Sequence, residues 1–253
     1  MLSKQEEHIL LKTTVYIRMC DSNNKQLGAA TGFFIWNEKK NKWYLITNNH
    51  VINKSNLCAL YLTVIDNGMQ KNETVIFDTT NKVIQHQDYD LCLLDITKEH
   101  DDLISANKIP IMTFVPFDKI TTDFSSFKHI EDIYMVGYPN ELINANINYP
   151  IVRKGITATG LCDNLNDEHA FIVDIPVYGG SSGSPIFYID SNNKVKLVGI
   201  TAKKYYEEDN LFELDNNGKF IENVNKFIKV PNGLGYAVKA NVILDLFNNL
   251  PRS

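Results

Sequence analysis

Gly179-Gly180-Ser181-Ser182-Gly183-Ser184-Pro185 stands between an alternating stretch that ends at Val177 and the apolar run Ile186-Phe187-Tyr188-Ile189. Read alone, a Ser/Gly string is most often a linker. Linkers sit in polar surroundings, whereas this one is bracketed by strand-like sequence, Phe171-Ile172-Val173-Asp174-Ile175 before it and Lys196-Leu197-Val198-Gly199-Ile200 after it. A tight turn carried by strands fits better. Glycines on both sides of a serine let the backbone bend so that the hydroxyl and nearby N–H groups face one reacting carbonyl, which is what a serine nucleophile needs.

Outward from this turn, short segments rich in β-branched and aromatic residues recur along the chain. Thr13–Ile17, Gly32–Trp36, Trp43–Thr47, Ala59–Val64, Leu91–Leu94, Ile133–Gly137 and Tyr236–Val238 are separated by Asn, Asp, Gly and Lys clusters that read as turns. This rhythm predicts an all-β fold, a barrel or sandwich. Helix is expected only at Lys4 to Leu11 and at Asn241 to Leu250, where Val242, Leu244, Leu246 and Phe247 supply an apolar face. Pro110 and Pro116 interrupt the rhythm between Asp101 and Asp132. The expected division is therefore a barrel over 1–105, a connection over 106–131 and a second barrel with a C-terminal helix over 132–253. The polar segment Tyr205 to Asn232 reads as a long loop, of a size that usually has a role.

Composition narrows the function. The 253 residues carry a formal net charge of -5, with 44% hydrophobic and 22% charged residues, as in an ordinary globule. No dense Lys/Arg stripe stands ready to displace counterions, so nucleic acid is not an expected partner. No apolar run reaches membrane-spanning length, and Met1 to His8 lacks the basic-then-apolar order of a signal peptide. Neither a membrane partner nor export is expected, and the cytoplasm is the default compartment. Cys20, Cys58, Cys92 and Cys162 are widely scattered, which points to small buried thiols and to neither a zinc cage nor a disulfide framework. No metal or organic cofactor is expected.

A serine nucleophile needs a base and an orienting acid. His50 follows the strand Trp43–Thr47 and precedes Val51-Ile52; Asp90 lies at the edge of the strand Leu91–Leu94. Asp88 and Asp95 compete with Asp90, but Asp88 lies in the polar turn from His86 to Tyr89 and Asp95 at the far end of the strand. Taken in chain order, His50, Asp90 and Ser182 resemble the triad of the chymotrypsin-like serine proteases. Thr47-Asn48-Asn49-His50-Val51 resembles that family's Thr-x-x-His motif, Asp90-Leu91-Cys92-Leu93-Leu94 its Asp-x-Ala-Leu motif, and Gly180-Ser181-Ser182-Gly183-Ser184-Pro185 the nucleophile motif of bacterial and viral single-chain members. Gly137-Tyr138-Pro139, the Gly199-Ile200 strand and Gly235–Val238 are similar to family strands, so the resemblance runs from Thr13 to the C-terminal helix.

The resemblance implies a double β-barrel and a serine endopeptidase acting on a polypeptide substrate. His50 would be the base, Asp90 its orienting acid, Ser182 the nucleophile, and the N–H groups of Gly180 and Ser182 the oxyanion donors. By position, Val177, Tyr178, Gly179, Thr201, Ala202 and Lys203 would line the substrate pocket. The sequence departs from the family in several places. Ser181 stands where secreted digestive members carry an aspartate that receives a cleaved N-terminus, which implies that no such cleavage is needed here. Val51 replaces a disulfide cysteine. No acid marks the pocket floor, against a demand for Lys or Arg, and Thr201 replaces the histidine of glutamate-specific relatives. The Tyr205 to Asn232 segment is expected beside the pocket as a lid or exosite. Asn48 and Asn49 replace the small residues usual before the histidine, which keeps open a silent relative that binds a peptide along a sheet edge. Esterase or acyl-transfer chemistry would use the same parts. Nothing in the sequence identifies a regulatory partner.

Overall fold

Two antiparallel sheets carry the fold of the described chain. The structure, a computed structural model, describes residues 2–143, 148–214 and 218–250; at 211–214 and 220–226 only the backbone is described. The first sheet contains β1 (Thr14–Cys20), β2 (Gln26–Asn37), β3 (Lys42–Thr47), β4 (Leu57–Asp66), β5 (Met69–Asp78), β6 (Val83–Gln85), β7 (Cys92–Asp95) and β8 (Lys108–Pro110). Its order is β5-β4-β1-β2-β3-β7-β6, with β8 against β4. Asn67 and Gly68 both have positive φ and join β4 to β5 with Asp66 opposite Met69, the two-residue turn whose twist suits a hairpin. The sheet wraps its own core of Val15, Ile17, Phe34, Leu45, Leu60 and Leu94.

The second sheet closes into a barrel in the order β10-β11-β14-β13-β12-β9. Its strands are β9 (Asp132–Gly137), β10 (Ile151–Thr157), β11 (Ala170–Asp174), β12 (Pro185–Ile189), β13 (Val195–Leu214) and β14 (Phe220–Lys239). Ile133, Met135, Phe171, Val173, Ile186 and Val198 fill it. The all-β, chymotrypsin-like architecture with a C-terminal helix is thus present.

Three features differ from the sequence expectation. The Tyr205 to Asn232 segment is no loop: β13 and β14 run for 20 residues each and pair far beyond the barrel, with Tyr206 opposite Pro231 and Asp209 opposite Ile228. Its described side chains are largely exposed, so no apolar alternation marks it and the backbone ladder alone defines it. A helix, α3 (Thr97–Ser105), lies where only the start of a seam is expected; it is mostly polar and buries Glu99 and Leu103. Cys20, Cys58 and Cys92 are buried as expected, but Cys162 is exposed.

The other helices tie the halves together. In α1 (Lys4–Lys12) the Ser3 hydroxyl accepts the Glu6 N–H, an N-cap. The Glu6 carboxylate, only 3% exposed, accepts from Lys119 Nζ at 2.9 Å and from the Val195 N–H at 2.7 Å, and pairs with Lys194. Burial acts to raise its pKa, yet these donors outweigh it and hold the carboxyl below its ordinary value. Ile9 and Leu10 of α1 and Val242, Ile243 and Leu246 of α4 (Val242–Asn248) enter a central core with Phe33 and Ile46 of the first sheet and Phe187 and Ile200 of the second. Among the described residues, no helix is long and apolar enough to cross a membrane.

Candidate active site

Strand pairing brings the base and the acid together. β3 pairs with β7, Thr47 opposite Cys92, so the residues just beyond Thr47 meet those just before Cys92. There the chain leaves the strand through Asn48 and makes one helical turn, α2 (Asn49–Ile52), which buries Val51 and Ile52 and leaves the His50 side chain 40% exposed. The His50 backbone N–H donates to Asp90 Oδ1 at 2.9 Å, and Nδ1 lies 2.5 Å from Asp90 Oδ2. Burial raises the Asp90 pKa, but hydrogen bonds from the His50 side chain and backbone, with the charges of His50 and Lys203, leave it below the ordinary value. An ionised carboxylate only accepts, so Nδ1 carries the proton and Nε2 of the neutral ring is free to accept. Nε2 lies 2.9 Å from Ser182 Oγ.

Asn48 and Asn49, the two departures before the histidine, brace this arrangement. Asn48 Nδ2 donates to the Asp90 carbonyl at 2.7 Å, and Asn49 Nδ2 to the Tyr89 carbonyl at 3.2 Å. Both amides therefore fasten the histidine turn to the aspartate segment. The competing acids are otherwise employed: Asp95 pairs with Lys42 at 2.7 Å and accepts the Thr97 N–H, while Asp88 stays in the His86 turn.

The serine turn is fixed by backbone geometry. Gly180 has φ +85° and Gly183 φ +80°; a Cβ would lie 2.2 Å from the Tyr138 carbonyl oxygen at Gly180 and 2.1 Å from that of Thr31 at Gly183. Only glycine fits these left-handed, crowded positions. Thr31 of β2 reaches across from the other sheet. Its N–H donates to the Ser182 carbonyl at 2.9 Å, its hydroxyl donates to the Gly180 carbonyl at 2.8 Å and accepts the Tyr138 N–H at 3.1 Å, and Thr47 Oγ1 donates to its carbonyl at 2.8 Å. On the opposite flank, the Asn140 N–H donates to the Gly179 carbonyl at 2.6 Å. A trans peptide points its C=O and N–H in opposite directions, so this contact turns the Gly180 N–H away from Asn140. Among the described residues, neither the Gly180 N–H nor the Ser182 N–H donates to a protein acceptor. Thr31, Asn48 and Asn140 carry no chemical signal of their own in the sequence, and only the pairing across the fold gives them a place.

Of the expected pocket residues, Val177, Thr201 and Ala202 are buried, and Tyr178, Gly179 and Lys203 are exposed. Val177 packs in the second core against Gly235, where a Cβ would meet its Cγ2 at 2.5 Å. The Lys203 Nζ lies over the Tyr236 ring at 5.3 Å. Away from His50, Asp90 and Ser182, the side chains of His129, Cys162 and Asp163 bring ligand-type atoms within 4.8 Å of one another; all three are exposed.

The model of the trypsin-like peptidase domain matches residues 30–200, a stretch that contains His50, Asp90 and Ser182. The chain belongs to the trypsin-like peptidase family. Among solved structures, this trypsin-like chain is similar in fold to the Rv3671c protease from M. tuberculosis in its active form, with 15% identity and a TM-score of 0.52 over 96% of this chain and 82% of that one. It is similar also to a thermostable serine protease, AL20, from an extremophilic microorganism, with 9% identity and a TM-score of 0.52 over 94% and 95% of the two chains. No curated protein matches the sequence.

Proposed function

We propose that the chain is a serine endopeptidase acting on polypeptides through Ser182, His50 and Asp90. The observation that carries this reading is the continuous chain of contacts from Asp90 Oδ2 to His50 Nδ1 at 2.5 Å and from His50 Nε2 to Ser182 Oγ at 2.9 Å. Ser182 Oγ attacks the scissile carbonyl carbon as its proton passes to Nε2, forming the C–O bond and an oxyanion. The Gly180 and Ser182 N–H groups donate to that oxyanion, and each such donor is worth about 3–4 kcal/mol in the transition state. The imidazolium, steadied by Asp90, then gives its proton to the leaving nitrogen as the C–N bond breaks. Water repeats the sequence on the acyl-enzyme, and Ser182 regains its proton.

Ser181 offers no carboxylate to an N-terminal ammonium, and α1 is docked by Glu6, so the oxyanion hole forms without a cleaved N-terminus. The triad draws on both halves, the 1–105 and 132–253 units on either side of the 106–131 connection. Fluorophosphonate labelling of the purified chain, with Ser182→Ala as control and a peptide-library digest to follow, tests the reading. Labelling that depends on Ser182 and internal cleavage of peptides are the expected results; an unlabelled folded protein refutes it.

A further inference from the structure

The serine turn rests on a half-buried cation that the reaction scheme does not use. Side chains of β10 alternate, with Val152, Lys154 and Ile156 exposed and Arg153 on the half-buried face between Ile151 and Gly155. A guanidinium withdrawn from water is costly unless its N–H groups find acceptors. Arg153 Nη1 donates to the Pro176 carbonyl, and Nη2 donates to Ser181 Oγ at 3.0 Å and lies 3.0 Å from Met135 Sδ. Its Cζ lies 6.0 Å from the Tyr178 ring centroid. Burial pulls its pKa below the ordinary guanidinium value. One side chain thus grips both ends of the segment Pro176 to Ser181, which leads directly into Ser182. Ser181 is fully buried and sits between Gly180 and Ser182, the two proposed oxyanion donors.

We propose that Arg153 is a positioning residue that clamps the Pro176–Ser181 segment and so holds the Gly180 and Ser182 N–H groups in their donating orientation. The planar fork explains the residue type: two acceptors five positions apart need two N–H groups in fixed relation, which a lysine does not provide. A clamp required only for packing would be replaced by methionine at little cost, since an apolar side chain of similar volume often substitutes for a buried charge. The proposal rests on the serine peptidase reading, and its test separates the two.

Arg153→Met, Arg153→Lys and Ser181→Ala are compared with the unaltered chain on a peptide nitroanilide that it cleaves. Arg153→Met is expected to lower kcat by about 100-fold with KM nearly unchanged, the pattern of an interaction made in the transition state. Arg153→Lys restores part of the loss, and Ser181→Ala, which leaves the Pro176 contact intact, loses about tenfold. The downfield imidazole proton between His50 and Asp90 persists in all three, which separates a misplaced hole from a broken triad. Amide NMR gives a readout independent of turnover: the Gly180 and Ser182 signals shift in Arg153→Met. Wild-type kcat in Arg153→Met, or unmoved Gly180 and Ser182 amides, overturns the clamp. If Arg153→Met fails to fold, wild-type kcat in Ser181→Ala does the same. Absence of fluorophosphonate labelling in the unaltered chain instead overturns the peptidase reading, and the amide shifts still decide the clamp.

Discussion

Replacing Thr31 by valine removes one hydroxyl and keeps the side-chain shape. In the native chain that hydroxyl donates to the Gly180 carbonyl and accepts the Tyr138 N–H, in a fully buried position. Valine leaves both partners buried and unsatisfied, and each such group costs about 1–3 kcal/mol. Allowing for partial relaxation, Thr31→Val destabilises by about 2–4 kcal/mol, which in a chain of this size lowers Tm by about 4–16 °C. Thr31→Ser is the control: it keeps the hydroxyl and loses one methyl, at about 1 kcal/mol. Packing alone predicts the opposite order, because valine adds apolar volume. The Gly180 carbonyl belongs to the Gly180–Ser181 peptide, between the two proposed oxyanion donors, so kcat is expected to fall by about tenfold in Thr31→Val as that turn loosens. Thermal melts of the three proteins and kcat on one peptide substrate decide the matter. A Thr31→Val protein as stable as Thr31→Ser, or fully active, would refute the assignment of Thr31 as the strut between the sheets.

Asn48→Ala strands the Asp90 carbonyl and opens a small cavity, so the melt drops by about 1–3 kcal/mol and kcat falls with it. Asp90→Asn keeps the shape but upsets the imidazole tautomer, and kcat falls by about 10⁴-fold with only a small change in Tm. Glu6 has a folded pKa below its ordinary 4.5, so its stabilising contribution is present above that pH and is lost as pH falls through the lower folded value. The Tm difference between the unaltered chain and Glu6→Gln should therefore be constant from neutral pH down to about 5 and shrink below it; a difference that grows on acidification contradicts the buried staple.

The residues proposed for the chemistry were legible because their neighbours carry strong local patterns. His50 and Asp90 border apolar strands, and Ser182 sits among glycines with demanding φ values, so type and place agreed. The residues that hold them in place were not. Thr31 reads as one more β-former, and its partners lie 149 and 107 positions away. Arg153 reads as a surface charge on a half-exposed strand until the 176–181 segment folds over it. The outer hairpin escaped because pattern reading detects a buried face, and the described side chains of this ribbon, at 205–210 and 227–232, form none. β5 is polar for a related reason, with one edge of its sheet open to water, although the Asn67-Gly68 turn announces the hairpin that contains it.

That outer ribbon also sets a gradient of protection along the chain. From Tyr206 to Asn210 and from Phe227 to Pro231, each backbone hydrogen bond is backed by no core, so it opens at a free energy close to that of a fraying end, whereas the same two strands within the barrel open only with the whole fold. Deuterium uptake therefore advances down the ribbon and halts near Lys204 and Gly235, where the strands meet the barrel wall. An added protease makes its first cut along the ribbon and leaves the barrel that carries Ser182 intact.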